Sequence, residues 1–148
     1  MAKLFIYYSL TSNGDNIAKY LESRGYEIRK VVEKKKMPKR FFWRVLVGGF
    51  RAGINQKAKL VDYNPDISSY DDIVIGSPIW NAKFPPVINS VLLQTDLKDK
   101  SLTFVLYSGS GDGPKAKARI EKEYPEAKII FLKEPNKYPD EYEKIKEI

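Results

Sequence analysis

The chain has 148 residues, of which 43% are hydrophobic and 30% are charged, and its formal net charge at pH 7 is +7. This balance is typical of a soluble protein with a sizeable core, and we expect residues 1–148 to form a single domain. Neither cysteine nor histidine occurs in the sequence, which excludes disulfides, thiol or histidine catalysis and the usual zinc and copper ligands, so any redox chemistry must come from a bound cofactor.

Apolar runs and helical patterns alternate along the chain. Strands are predicted at residues 3–8, 26–32, 72–76, 102–107 and 128–132, and helices at residues 15–24, 85–93, 114–124 and 138–148, with a less regular helical pattern after Pro38. Short links between strand, helix and strand favour parallel pairing. Five strands alternating with helices predict a three-layer α/β/α sandwich around a five-stranded parallel sheet.

Proteins with such folds bind ligands at the carboxyl ends of the strands, beside the point where the strand order reverses. We therefore expect a binding site in the loops that follow the first, third and fourth strands. In a sheet with the strand order 2-1-3-4-5 these three strands are adjacent, so their loops lie side by side.

The loop after the first strand, "SLTSNG" (residues 9–14), we name the hydroxyl loop. It places Ser9, Thr11, Ser12 and Asn13 before a predicted helix and ends at Gly14. A helix N-terminus offers unpaired N–H groups, hydroxyls add donors, and a glycine allows close backbone approach, so the pattern predicts a phosphate cradle. The Gly-Lys-Ser/Thr and G-x-G-x-x-G nucleotide motifs are both absent. The alternative is a plain N-cap, which needs only one such residue.

The loop after the third strand, "GSPIWNAKFPP" (residues 76–86), we name the tryptophan loop. Trp80 lies among turn-forming residues just beyond a buried strand. From there its ring can stack on a flat ligand, a contact worth roughly 0.5–1.5 kcal/mol beyond area burial. The alternative is a tryptophan that packs on the helix after it.

The loop after the fourth strand, "YSGSGDG" (residues 107–113), we name the glycine loop. Its glycines permit close approach, so that exposed N–H and C=O groups pair with the polar edge of a heterocycle. By itself this loop is a weak signal, and a plain tight turn is the interpretation we favour for it alone. Taken together, the three loops fit a planar ring system with a phosphorylated tail.

These motifs resemble those of the flavodoxin family over nearly the whole chain. The hydroxyl loop resembles the family's T/S-x-T-G-x-T phosphate loop, "GSPIW" resembles its Gly-Ser/Thr-Pro loop with a stacking aromatic, and "SGSGDG" resembles its Gly-Cys-Gly-Asp loop. The resemblance implies a flavodoxin-like domain with strand order 2-1-3-4-5, noncovalently bound FMN, and an electron carrier between redox partner proteins, a reductase and an acceptor. The implied cofactor-binding residues are Ser9, Thr11, Ser12, Asn13 and Gly14 for the phosphate, and Pro78, Trp80, Asn81, Ser108, Gly109 and Gly111 for the ring.

The chain departs from the family pattern in all three loops. Ser12 replaces the usual glycine and Gly14 replaces the last threonine, and no tyrosine follows Asp112 to cover the second flavin face. The family often has, after the stacking aromatic, a glycine whose peptide flips to bond the reduced flavin N5, whereas this chain has Asn81 and Ala82. Asparagine tolerates positive φ better than most residues, so a flip is allowed but is expected to be less easy.

The positive charge is concentrated in one segment. Residues 29–60 contain eleven lysines and arginines and a single acid, Glu33, whereas the rest of the chain has 15 basic and 18 acidic residues. An excess confined to one segment is weak support for nucleic-acid binding, and we expect no nucleic-acid partner. The part "KKKMPKRFFWR" (residues 34–44) is either a docking patch, for an acidic partner, an anionic membrane or nucleic acid, or a solvated edge with inward aromatic residues, which we favour.

The sequence contains no recognisable membrane span or targeting segment. The apolar run of residues 41–50 contains Arg44 and is too short to cross a bilayer. No signal peptide is recognisable at the first residues. We therefore expect a cytoplasmic protein.

Two other functions remain open beside the electron carrier. One is a flavin-dependent NAD(P)H quinone reductase, which the missing second aromatic favours and the small size opposes. The other is a flavodoxin-like interaction module that has lost FMN, for which the substitutions in the hydroxyl loop leave room.

Overall fold

A computed structural model describes residues 2–33 and 59–148. These residues form five parallel strands in the order β2-β1-β3-β4-β5, which confirms the predicted fold class. The strands are β1 (Lys3–Tyr7), β2 (Tyr26–Lys30), β3 (Asp72–Pro78), β4 (Ser101–Ser108) and β5 (Lys128–Lys133). The helices are α1 (Ser12–Ser23), α2 (Pro86–Gln94), α3 (Pro114–Glu123) and a C-terminal 3-10 helix (Pro139–Glu147). The helical pattern after Pro38 and residues 34–58 of the basic segment lie outside the described residues.

The central strands β1, β3 and β4 are buried on both faces of the sheet, which explains why they are nearly continuous apolar runs. In β1, Leu4 and Ile6 enter one core while Phe5 and Tyr7 enter the other, because successive side chains point to opposite faces. Helices α2 and α3 cover the first core. Helix α1 and Ile145 of the 3-10 helix cover the second. The helices thus form the two outer layers of the sandwich.

Helix α1 begins three residues earlier than the sequence pattern suggests. Thr11 is its N-cap, and the Thr11 side-chain oxygen accepts a hydrogen bond from the N–H of Asn13 at 3.4 Å. Ser12, Asn13 and Gly14 therefore lie in the first turn of the helix. Because the first N–H groups of a helix have no partner within it, this placement directs backbone donors towards the end of the sheet.

The strand register brings the three loops to one edge of the sheet. Tyr7 pairs with Gly76 between β1 and β3, and Pro78 pairs with Tyr107 between β3 and β4. The hydroxyl, tryptophan and glycine loops therefore start at similar heights on three adjacent strands. Among the described residues, no helix is long and apolar enough to cross a membrane.

Candidate cofactor site

The hydroxyl loop is closed by one of its own side chains. The Ser9 hydroxyl donates to the carbonyl oxygen of Thr11 at 2.5 Å and accepts from the N–H of Gly14 at 3.2 Å. Its only proton is therefore used inside the turn. Ser9 shapes the loop and offers no free O–H to a ligand.

Among the residues that the structure describes, the hydroxyls of Thr11 and Ser12 act only as hydrogen-bond acceptors. Thr11 Oγ1 accepts from the N–H of Asn13, and Ser12 Oγ accepts from Nδ2 of Asn136 at 2.7 Å. A hydroxyl that accepts one hydrogen bond still has its own O–H to donate. Within residues 2–33 and 59–148, neither O–H has an acceptor. The loop thus offers two side-chain donors beside the first turn of α1.

The nearest carboxylate is already paired. Asp15 Oδ1 accepts from the Tyr7 hydroxyl at 2.6 Å and from Lys30 Nζ at 2.9 Å. These two hydrogen bonds, that from Tyr7 first, hold the pKa of Asp15 below its ordinary value. The negative charge at the start of α1 is therefore compensated by Lys30, which reduces its repulsion of a second anion.

Gly14 is required for a different reason from the one its sequence context suggests. It is buried, and a Cβ there would lie 2.7 Å from Cδ2 of Tyr7, 2.8 Å from Cβ of Ser9 and 2.9 Å from the hydroxyl of Tyr107. Its φ is not positive, since the positive-φ glycines of the described chain are Gly25 and Gly111. Gly14 allows α1 to pack closely against the sheet. Its role is therefore in packing and not in exposing backbone to a ligand.

Tyr107 forms the floor beneath the hydroxyl loop. Its side chain is buried, and its hydroxyl donates to the carbonyl oxygen of Tyr8. Burial raises the pKa of Tyr107 well above its ordinary value, so the hydroxyl stays protonated. It therefore serves as a fixed donor that anchors the end of β1.

The turn at the centre of the tryptophan loop holds Trp80 in a fixed position. The N–H of Trp80 donates to the carbonyl of Lys83 at 2.9 Å, and the N–H of Lys83 donates to the carbonyl of Trp80 at 3.0 Å. The Trp80 ring is half-buried and meets Tyr8 edge to face, with ring centroids 6.0 Å apart at an angle of 74°. One part of the indole thus packs against the protein, and the rest remains accessible.

Two residues of this turn have left-handed backbone. Asn81 has φ of 51° and Ala82 has φ of 62°, as in a two-residue turn of type I′. The carbonyl of Ala82 accepts from the N–H of Ala116 at 2.9 Å, in the first turn of α3. This hydrogen bond satisfies a helix N–H and ties the turn to α3, which explains how alanine is held in a conformation it disfavours.

We predict that Ala82→Gly stabilises the protein by about 0.5–1 kcal/mol. Left-handed backbone costs a non-glycine residue roughly 1–2 kcal/mol, and the extra freedom of glycine in the unfolded chain offsets roughly 0.5–1 kcal/mol of that. Urea unfolding of the cofactor-free protein measures the change. The matched control is Ala118→Gly at an exposed position of α3, which should destabilise the protein by about 1 kcal/mol. If Ala82→Gly and Ala118→Gly lowered the free energy of unfolding equally, the backbone at Ala82 would not be strained.

The glycine loop is organised by the side chain of Ser108. Ser108 Oγ accepts from the N–H groups of Gly111 at 3.0 Å and Asp112 at 3.1 Å, and donates to the carbonyl of Asp112 at 3.0 Å. Its hydroxyl is fully used within the loop and cannot also bond a ring edge. Gly111 has φ of 74°, and a Cβ there would lie 2.8 Å from Cβ of Lys133, so it is needed for the turn. Gly109 is exposed, and of the described atoms a Cβ there would meet only Glu134 Oε1 at 3.9 Å, so its backbone can be approached closely.

Pro78 lies at the end of β3, beneath the tryptophan loop. Its carbonyl accepts from the hydroxyl of Ser77 at 2.7 Å, and the next N–H, that of Ile79, donates to the carbonyl of Tyr107 at 3.1 Å. A Cβ on Gly113 would contact Ile79 at 3.1 Å. The tryptophan and glycine loops are thus joined by backbone hydrogen bonds and by packing.

A fourth segment, residues 134–138 after β5, also reaches the site. The N–H of Glu134 donates to the carbonyl of Ser108 at 2.9 Å. The N–H of Asn136 donates to Oδ1 of Asn13 at 3.2 Å, and its side chain bonds Ser12. This segment is not among the three loops predicted to form the site. Its turn-forming "EPNKYP" pattern directly after the last strand, at the same edge of the sheet, was the available indication.

The donor chemistry of this edge fits FMN. Two free hydroxyl protons and the N-terminus of α1 suit a phosphate. The accessible part of Trp80, whose ring contacts Tyr8 directly before the hydroxyl loop, suits a flat ring. Gly109 leaves backbone open to a ring edge.

This architecture defines a doubly wound α/β protein whose candidate ligand site lies at the switch in strand order. The model of the family described as Flavodoxin matches residues 53–143, more than half of the chain, and the chain therefore belongs to the flavodoxin family. The matched part includes the tryptophan and glycine loops and begins after the hydroxyl loop. No curated protein sequence matches the chain significantly.

Solved structures share the fold at low sequence identity. A candidate flavoprotein from Bacteroides eggerthii DSM 20697 has a TM-score of 0.71 at 21% identity, over 86% of this chain and 85% of its own. One from Bacteroides uniformis ATCC 8492 has a TM-score of 0.70 at 21% identity, over 87% and 89%. A flavoprotein from Lactobacillus acidophilus NCFM, solved in complex with FMN, has a TM-score of 0.65 at 18% identity, over 87% and 89%.

Proposed function

We propose that this protein binds FMN and carries electrons between redox partner proteins, a reductase and an acceptor. The observation that supports this most is the pair of free hydroxyl protons, on Thr11 and Ser12, at the N-terminus of α1, with Trp80 on the loop that follows the neighbouring strand. Membership of the flavodoxin family and the FMN of the Lactobacillus flavoprotein give further support.

In this proposal each loop has one task. The Thr11 and Ser12 hydroxyls donate to the phosphate together with the N–H of Ser12, the first of α1, because the N–H groups of Asn13 and Gly14 are already bonded within the loop. Ser9 closes the loop, and Gly14 lets α1 pack on the sheet. Asn13 joins the loop to Asn136. The chemistry that FMN supplies when bound is the uptake and release of one or two electrons.

The ring is held by the remaining loops. Trp80 stacks on the isoalloxazine, Asn81 and Gly109 present backbone to its edges, and Pro78, Ser108 and Gly111 fix the shape of the supporting turns. No side chain reacts in this proposal. The protein excludes water and tunes the potential of the ring through charge and hydrogen bonds.

The test is to purify the protein, record its visible absorbance, and titrate it with FMN while following flavin fluorescence. We expect flavin absorbance bands and saturable quenching by one equivalent of FMN. The FMN-loaded protein is then mixed with NAD(P)H and a quinone, and a carrier should give no turnover above free FMN. Steady turnover would replace the carrier with a quinone reductase. A protein that takes up no FMN would overturn both and leave an interaction module.

A further inference from the structure

Asn136 contacts the predicted phosphate-binding turn through both its backbone and its side chain. Its N–H donates to Oδ1 of Asn13 at 3.2 Å, and its Nδ2 donates to Oγ of Ser12 at 2.7 Å. These contacts join positions 123 and 124 residues apart in the chain. They are the direct link between the segment after β5 and the first turn of α1.

The orientation of the Asn136 amide is fixed by two donors on its other side. Its Oδ1 accepts from Nδ2 of Asn16 at 2.8 Å and from the hydroxyl of Tyr142 at 2.5 Å. The oxygen therefore faces Asn16 and Tyr142, and the NH₂ group faces Ser12. Because an amide nitrogen only donates, Ser12 Oγ is the acceptor in that contact. The Ser12 proton is thus left to point away from Asn136.

We propose that Asn136 is a positioning residue that orients the Ser12 hydroxyl as a phosphate donor, and so sets the preference of the protein for FMN over riboflavin. This inference rests on the proposed function. Asn136 acts through Ser12, and no contact of its own with the flavin is required. Aspartate at this position would accept the Ser12 proton instead of donating to Oγ, and would add a negative charge beside the phosphate.

The experiment compares FMN and riboflavin, which differ only in the phosphate. Dissociation constants are measured by fluorescence quenching for the wild type, Asn136→Ala and Asn136→Asp. We expect Asn136→Ala to weaken FMN binding roughly fivefold and Asn136→Asp roughly fiftyfold or more, because the second change removes a donor and adds repulsion. Riboflavin binding should change less than about twofold. Its ribityl chain ends in an uncharged hydroxyl where FMN has the phosphate, so it gains little from an oriented donor and is not repelled by the new charge.

Asn64→Asp is the charge-matched control. Asn64 Oδ1 accepts from the N–H of Asp66, a hydrogen bond that aspartate retains. The Asn64 carbonyl accepts from Arg29 of the edge strand β2, whose following loop is not part of the candidate site. Asn64→Asp should leave both dissociation constants within about twofold. Because Asn136 is exposed, its variants should fold, and urea unfolding without flavin checks that they do.

A double-mutant cycle separates positioning from general loosening of the loop. In a Ser12→Ala background, Asn136→Ala should have no further effect on FMN binding, because the group it orients is gone. An unchanged ratio of FMN to riboflavin affinity in Asn136→Asp, or full additivity in the cycle, would overturn the inference while leaving FMN binding intact. Failure of the wild type to bind FMN would instead overturn the proposed function itself.

Discussion

Gly14→Ala is expected to destabilise the protein by about 2 kcal/mol. The new methyl group would lie 2.7 Å from the Tyr7 ring, 2.8 Å from Cβ of Ser9 and 2.9 Å from the Tyr107 hydroxyl. Both tyrosines are buried, so neither ring can move aside without disturbing the core. Overpacking of this kind costs roughly 1–3 kcal/mol, and three simultaneous contacts outweigh the gain of about 1 kcal/mol that alanine brings to a helix.

Urea unfolding of the cofactor-free protein measures this effect. Gly109→Ala is the matched control, because the nearest atom to its added Cβ is Glu134 Oε1 at 3.9 Å and its φ is not positive. The control should change stability by less than about 0.5 kcal/mol. If Gly14→Ala changed the free energy of unfolding as little as Gly109→Ala, there would be room for a Cβ between α1 and the two tyrosines. That result would contradict the tight packing at Gly14.

Trp80→Ala is expected to weaken FMN binding by roughly thirtyfold. Stacking on a flat ring contributes about 0.5–1.5 kcal/mol beyond area burial, and the lost apolar contact brings the total to about 2 kcal/mol. Since about 1.4 kcal/mol corresponds to a tenfold change in affinity, the effect is easily resolved by fluorescence titration. Riboflavin should lose affinity by the same factor, because the ring and not the phosphate makes this contact.

Trp80→Phe is the control that separates stacking from folding of the turn. Phenylalanine keeps an aromatic face beside Tyr8 and leaves the backbone hydrogen bonds with Lys83 in place. It should retain FMN affinity within about fivefold. If Trp80→Ala bound FMN as tightly as the wild type, the indole would make no contact with the flavin. The alternative interpretation, in which Trp80 only packs on the helix after it, would then be correct. Equal behaviour towards FMN and riboflavin also distinguishes this variant from those of Asn136.

Local sequence patterns were enough to predict the fold and the edge of the sheet that bears the candidate site. The central strands β1, β3 and β4 are short apolar runs because both faces of a parallel sheet are covered, and α1 and α3 each show one apolar face. Both patterns are local, so they are visible without a structure. The rule that ligands bind at the carboxyl ends of strands then selected the hydroxyl, tryptophan and glycine loops.

The individual tasks of the site residues were decided only by tertiary structure. Ser9 and Ser108 look like ligand donors in the sequence, but their hydroxyls are used within their own loops. From the sequence, Gly14 is expected to let the backbone approach a ligand. In the structure a glycine is needed there because Tyr7 and Tyr107 leave no room for a Cβ. Asn136 has no motif at all. Its partners in α1 lie 120 to 124 residues away, and hydrogen bonds between such distant positions leave no periodicity in the sequence, since only the folded sheet brings them together.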